Sequence, residues 1–219
     1  MNRISEADTK TLILDAAEQA FADLGFDAAS LRHIISVAGV NLAAIHYHYG
    51  SKEALIEAVF SRRLTPLNKE RLDLLEQIEA EAGNKPLPLE KVIEALVGPA
   101  LRLSRDPNKG GRVVMRLFGR TIAEPSEQLQ RLIHQQFGDM VKRFTGAFQR
   151  ALPELPENVL FWRIQFVIGA MAHIMCDPNG IKAMSAGLCD PNNTEEVIKE
   201  MVTFLAAGMR AELPKKKTK

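Results

Sequence analysis

Few side chains in this 219-residue chain are of a type that could carry metal or nucleophilic chemistry: five histidines, two cysteines and scattered carboxylates. His46 and His48 stand two positions apart, which on a helix turns them ~200° away from each other, so they cannot grip one ion together. His173 and Cys176 share a helix face at i,i+3, with Asp177 adjacent. Further clear ligands are lacking, and the pair reads as packed or hydrogen-bonded rather than as a metal site. A cysteine deep in an apolar helix is expected to stay a thiol, which argues against a Cys176–His173 nucleophilic dyad. Glu154 and Glu157 lie beside loops without apolar surroundings and read as solvated charges. The chain has no G-x-S-x-G, no P-loop and no H-E-x-x-H. No enzymatic activity, metal or cofactor is therefore expected.

The chemistry that the residues do support is recognition, and it is concentrated in residues 30–52, SLRHIISVAGVNLAAIHYHYGSK. Two short helices joined by a tight glycine-containing turn form a helix-turn-helix, whose second helix fits a DNA major groove. Ile34, Ile35, Val40, Ile45 and Tyr49 supply the inward face that sets the angle between the helices. Leu42, Ala43, His46 and Tyr47 are left pointing outward, a patch too apolar for an ordinary solvated helix. Thymine methyl groups offer such a patch an apolar partner, and a histidine can exchange hydrogen bonds with a base edge. Around it stand groups suited to phosphate: Arg32, Tyr47, His48, Lys52 and the backbone amides opening the next helix. A plain helical hairpin, with its outward aromatics covered by another domain, has the same pattern.

The elements that must position this patch are helices throughout. Leu12/Ile13, Ala16/Ala17, Ala20/Phe21 and Leu24 form one face of a first helix, stopped by Gly25. Ser30 is placed to N-cap the second helix, which Gly39 ends, and Asn41 to cap a third, which runs to about His48. Gly50-Ser51 opens a fourth, in which Glu53 and Glu57 near the start and Arg62 and Arg63 near the end suit the helix dipole. Pro66 marks a kink or boundary there. Further helices are expected over 67–82, 89–104, 112–123, 126–152, 156–176 and 194–212, separated by Pro- and Gly-rich stretches, with a short one around 181–186. The fold class is thus all-α. An N-terminal domain over 1–66 precedes a helical domain over 67–213 and a basic disordered tail, 214–219.

Composition adds limits. The net charge is +1, and residues 1–50 hold three Lys/Arg against six Asp/Glu, so any affinity for DNA rests on local geometry. Two cysteines are too few for a disulfide framework and fit a reducing compartment. No apolar run is expected to reach the ~18–20 residues that span a bilayer, and MNRISEADTK lacks a signal-peptide core, so a cytoplasmic protein without membrane association is expected.

Residues 9–60 resemble the DNA-binding signature of the TetR family of transcription regulators. The first helix ILDAAEQAFADLGF, the AGV turn and I-H-Y-H-Y-G-S-K, where that family tends to have L-Y-Y-H-F-x-S-K, carry the likeness. The resemblance implies a three-helix DNA-binding domain, phosphate contacts from Tyr47, His48 and Lys52, and base-side contacts from Arg32, Leu42, Ala43 and His46. His46 departs from the usual aromatic at its position. The same resemblance implies a C-terminal ligand-binding and dimerisation domain, a homodimer on double-stranded operator DNA, and control by a small effector.

Two apolar stretches could line an effector site. Val114, Met115 and Phe118 crowd one helix; Phe161, Ile164, Ile168, Met171 and Met175 crowd another nearly all round, so the latter is expected to be buried on most sides. Each of these is also an ordinary core residue. LFWRIQFVIGAMAHIM, with the closing FLAAGMRAE, resembles a subset of TetR-like repressors that respond to fatty acids, which implies a long-chain fatty acid or acyl-CoA thioester. Arg116, Arg120 and Arg163 are candidate partners for its polar head. Dimerisation is expected from the 126–152 helix with 156–176 or the last helix, where Gly169, Ala170 and Ala172 would permit close approach. A helical interaction module that binds no DNA is the rival class.

Overall fold

The structure, a computed structural model, describes residues 6–123, 126–177 and 180–213. The basic tail 214–219 lies outside the described residues, as do the first five. All regular structure among the described residues is helical: α1 (Glu6–Leu24), α2 (Leu31–Ala38), α3 (Leu42–His48), α4 (Lys52–Ala82), α5 (Leu89–Arg105), α6 (Gly111–Ala123), α7 (Glu127–Ala151), α8 (Glu157–Cys176), α9 (Gly180–Met184) and α10 (Thr194–Arg210).

Glycine punctuation ends the early helices as their spacing predicts. Gly25, Gly39 and Gly50 take φ of 87°, 68° and 78°, a region where only glycine avoids a Cβ clash. Pro66 is different. The helix boundary expected there does not occur, because α4 runs through it to Ala82. A proline inside a helix forgoes one bond, here to the Arg62 carbonyl. Pro66 is exposed while Leu64 and Leu67 beside it are buried, so side-chain burial holds the helix across the gap.

The chain packs as two compact units. The first takes in residues up to Asn68 together with Asp106–Gly138. Its core gathers Ile13, Phe21, Ile34, Ile45 and Leu55, all at 0% exposure. The rings of Phe21, Phe26, Phe60 and Phe118 follow one another at 5.7, 5.8 and 6.3 Å, which ties α6 to the N-terminal helices. That α6 belongs to this unit is not visible from sequence order.

The second unit holds Lys69–Arg105 and the residues from Asp139 onward. Its core is α5 against α10, with Val92, Ile93, Leu96 and Leu101 facing Ile198, Val202, Leu205 and Met209 among the buried residues. Arg102 grips Glu195 at 2.7 and 2.8 Å, and Arg210 grips Glu90.

Three expectations that bear on 156–176 need correction. The helix was to be buried on most sides, yet Phe161, Trp162 and Phe166 are 50%, 65% and 64% exposed. Only Leu160, Ile164, Val167 and Met175 of α8 are buried. Cys176, expected deep, is exposed, although partial burial still pushes its thiol pKa up. No membrane-length apolar stretch was expected, but α8 is long and apolar enough to cross a membrane by length and composition alone. Arg163, Gln165 and His173 interrupt its apolar run without lowering the average much. Arg163 binds the carbonyls of Met209 and Ala211 at 2.5 and 2.6 Å, which fastens α8 to the end of α10.

Candidate nucleic-acid interface

The helix-turn-helix is built from caps. The Ser30 hydroxyl accepts the His33 N–H at 3.1 Å and opens α2, and the Gly39 N–H closes α2 on the Ile35 carbonyl. The Asn41 carboxamide oxygen accepts the Ala44 N–H at 2.9 Å and opens α3. Ser51 Oγ then accepts the Ala54 N–H at 3.1 Å at the start of α4. Such caps let helices of 8 and 7 residues hold, because four amides at each N-terminus lack intrahelical partners.

Ile34 and Ile45, fully buried, lock α2 against α3. Tyr49, half-buried, fixes α3 to α1: its hydroxyl donates to the Lys10 carbonyl at 2.8 Å. Its desolvation raises the phenol pKa, so the hydroxyl stays a donor.

What remains outward is the patch singled out in the sequence. Leu42 is 41% and Tyr47 74% exposed, and Arg32, Ala43 and His46 are exposed as well. The Tyr47 ring stands edge-on to His48, centroids 5.0 Å apart. His48 and Lys52 are half-buried, and Lys52 Nζ donates to the Asp27 carbonyl at 3.1 Å. His46 Nδ1 lies 2.9 Å from the Gly50 carbonyl oxygen. Val37, 59% exposed on α2, was not picked out from sequence; its hydrophobic type amid the outward Ser36 and Gly39 was the available signal.

Arginines of α4 and α6 serve the fold. Arg62 and Arg63 do not sit at a helix end, since α4 continues; Arg62 pairs with Asp15 at 2.6 Å and Arg63 with buried Glu18. Arg116 pairs with Asp23, and Arg120 donates to the Asp23 carbonyl at 2.8 Å. With Arg163 on the α10 carbonyls, all three arginines considered for an effector head have protein partners.

The side chains considered for an effector fall in both units. Val114 is buried, and Met115 and Phe118 half-buried, in the first. Ile164 and Met175 are buried, Ile168 and Met171 half-buried, and Phe161 exposed in the second. There, unnoticed in the sequence, Arg71 is 2% exposed: its Nε donates to the Leu96 carbonyl at 2.8 Å, and its Nη2 lies 3.6 Å from Met171 Sδ. Burial lowers the Arg71 pKa to about 10. A separate crevice of about 360 Å³ in the first unit is lined by Phe26, Lys52, Ile56, Leu129 and Leu132 among others, and by none of the side chains expected from sequence to meet an effector. No group of three metal-ligating side chains occurs among the described residues.

Comparison with known proteins bears on both halves. Residues 13–59 match the model of the bacterial regulatory proteins of the tetR family, and residues 94–208 match that of the tetracyclin repressor-like C-terminal domain. The HTH-type transcriptional regulator UidR of Escherichia coli K12 is 39% identical over 51 residues, 23% of this chain and 26% of its own. The HTH-type transcriptional repressor BepR of Brucella suis is 31% identical over 97 residues, 44% of this chain and 43% of that one. The matched segments thus span less than half of either relative. The fatty acid degradation regulator FadR from Bacillus halodurans shares the fold over 93% of this chain and 97% of that one, with a TM-score of 0.65 and 16% identity.

Proposed function

Because the chain belongs to the TetR family of bacterial transcription regulators, we propose that it is a repressor that grips a pseudo-palindromic operator as a homodimer and is released by an apolar effector. The family is one of ligand-responsive DNA-binding regulators rather than enzymes. The observation that carries the proposal is the capped α3, which holds Leu42, Ala43, His46 and Tyr47 outward on a helix too apolar for a solvated surface. Arg32, Leu42, Ala43 and His46 meet base edges, and Tyr47, His48 and Lys52 meet phosphates. Lys52 trades its bond to the Asp27 carbonyl for a phosphate. Gel shift with DNA from upstream of the chain's own operon tests this; no shift at any sequence leaves the DNA-free interaction module standing instead.

The exposed apolar faces of α8 and α10 support the dimer. Trp162 and Phe166, one turn apart with rings stacked at 6.2 Å, and Phe204, 75% exposed on α10, are large apolar groups in water in a single chain. A second copy brings the same patch across a two-fold axis and covers it.

For the effector, a fatty acid or acyl-CoA thioester suits the aliphatic and methionine side chains of α8. Each buried CH₂ contributes ~0.8 kcal/mol, so a long chain supplies the several kcal/mol that a population shift needs. Arg71 beside Met171 places a buried cation where a carboxylate head could replace the thioether, a weak acceptor, as its neighbour. α4 runs from the first unit into the second as one helix and offers the path by which an effector shifts the recognition helices. A regulator of this kind acts in the cytoplasm. Titrating acyl chains of increasing length into the DNA complex tests the effector class.

A further inference from the structure

We infer that His46 reads its base pair as a hydrogen-bond acceptor, bonded to the major-groove amino group of one base, adenine N6 or cytosine N4, at one position of each half-site. The inference deepens, and rests on, the reading of α3 as the base-contacting helix. Its ground is the bond between His46 Nδ1 and the Gly50 carbonyl oxygen, 2.9 Å long. A carbonyl oxygen only accepts, so Nδ1 must carry the hydrogen. In the neutral ring the second nitrogen, Nε2, is then bare and can only accept.

The fold holds this arrangement in place. Gly50 sits at φ 78° immediately after α3, and that left-handed turn follows the cap at Tyr49, itself tied to α1 through Lys10. The carbonyl that fixes the tautomer is therefore part of the turn that ends the recognition helix. His46 is exposed, on the same outward patch as Tyr47. In the major groove, adenine N6 and cytosine N4 are donors, whereas guanine presents N7 and O6 and thymine O4 as acceptors. Each base pair thus offers a bare Nε2 one amino donor, on one strand, beside acceptors that it cannot engage.

The test starts with operators selected from random duplexes by full-length wild type, His46→Ala and His46→Arg at about pH 8. Wild type should prefer one base pair at a position per half-site that His46→Ala leaves open, its contact being the amino-bearing base of that pair, adenine or cytosine. Replacing that base by its analogue without the amino group should weaken wild-type binding roughly three- to tenfold, the worth of one hydrogen bond, and leave His46→Ala unchanged. His46→Arg, which has donors only, should move the choice to guanine. Nitrogen NMR of the DNA-free protein should show Nε2 as the bare ring nitrogen. Wild-type binding indifferent to loss of that amino group, or a bare Nδ1, would overturn the inference while leaving α3 as the reading helix. If His46→Ala altered no base preference although the protein bound DNA, His46 would not face a base, and the base-contact reading of that position would fall with the inference.

Discussion

Arg63 on α4 holds Glu18 on α1 with both ends of its guanidinium, Nε to Oε1 at 2.7 Å and Nη2 to Oε2 at 2.9 Å. Glu18 is 4% exposed, so the pair lies largely out of water, and a third donor, Nη1, reaches the Lys109 carbonyl at 2.9 Å. One side chain therefore fastens α1, α4 and the turn before α6 into the unit that carries α3.

Removing Arg63 leaves Glu18 in a poorly solvated place with only Arg62, at 3.5 Å, as counter-charge. Arg63→Ala should cost about 2 kcal/mol of stability, whereas the paired change Glu18→Leu with Arg63→Met should recover most of it. Urea unfolding followed by circular dichroism measures both. A loss within about 0.5 kcal/mol for Arg63→Ala, the range of an ordinary surface change, would show that the clasp does not hold the unit.

How much of this was legible in the sequence depends on the distance over which each interaction acts. Helix ends set by one residue and its neighbours, Ser30, Gly39, Asn41 and Gly50, were readable because caps and left-handed turns are local. The outward patch on α3 followed from the same local reading. Glu18 and Arg63 are 45 positions apart, and nothing near Arg63 distinguishes a clasp from a helix-end charge. Pro66 was read as a kink or boundary because the local rule is strong, and burial of Leu64 and Leu67 carries α4 through it. The exposure of Trp162 and Phe166 was misread for a further reason: periodicity reports that a face will be covered, not which chain covers it.

That face yields the second prediction. Trp162→Glu combined with Phe204→Glu should turn a dimer into a folded monomer, since two charges per chain would be buried without partners at a self-complementary surface. Light scattering at micromolar concentration reads the mass, and unchanged helicity excludes unfolding. A wild-type monomer, or a dimer indifferent to both changes, would count against the α8–α10 interface.

Acid should loosen the second unit through Glu90. Its hydrogen bonds from Arg210 hold the carboxyl down at about 2, against an ordinary 4.5. Because the folded pKa lies below the unfolded one, the pair's contribution is complete above the ordinary value and is lost as pH falls toward 2. Both side chains are about half exposed, at 49% and 50%, so solvent screening limits the contribution to about 0.5–1 kcal/mol. Glu90→Gln should lower the denaturation midpoint slightly at pH 7 and narrow its gap to wild type by pH 3. A gap that stayed constant from pH 7 to pH 3 would deny the linkage.

Release of DNA by acyl chains should strengthen with length until the site is full, each added CH₂ tightening the effector by up to ~0.8 kcal/mol. Arg71→Met, which keeps an apolar stem, should blunt release by fatty acids but not by their neutral methyl esters. Fluorescence anisotropy of the DNA complex reads both. A response independent of chain length, with release by planar aromatic compounds, would remove lipids as the effector class and leave the regulator intact.

The central claim is that α3, presented twice by a dimer, reads operator DNA. It is tested most directly by the affinity of full-length protein for a selected operator, compared among wild type, Tyr47→Ala and an operator with about 5 bp inserted at its centre, half a helical turn. Wild type should bind more weakly as salt rises, because phosphate contacts release counterions. Tyr47→Ala should weaken binding to specific and non-specific duplexes by a similar factor, since a phosphate carries no base identity. The inserted operator should lose tight binding altogether. Undiminished affinity of Tyr47→Ala for the operator, together with tolerance of the insertion, would contradict the account.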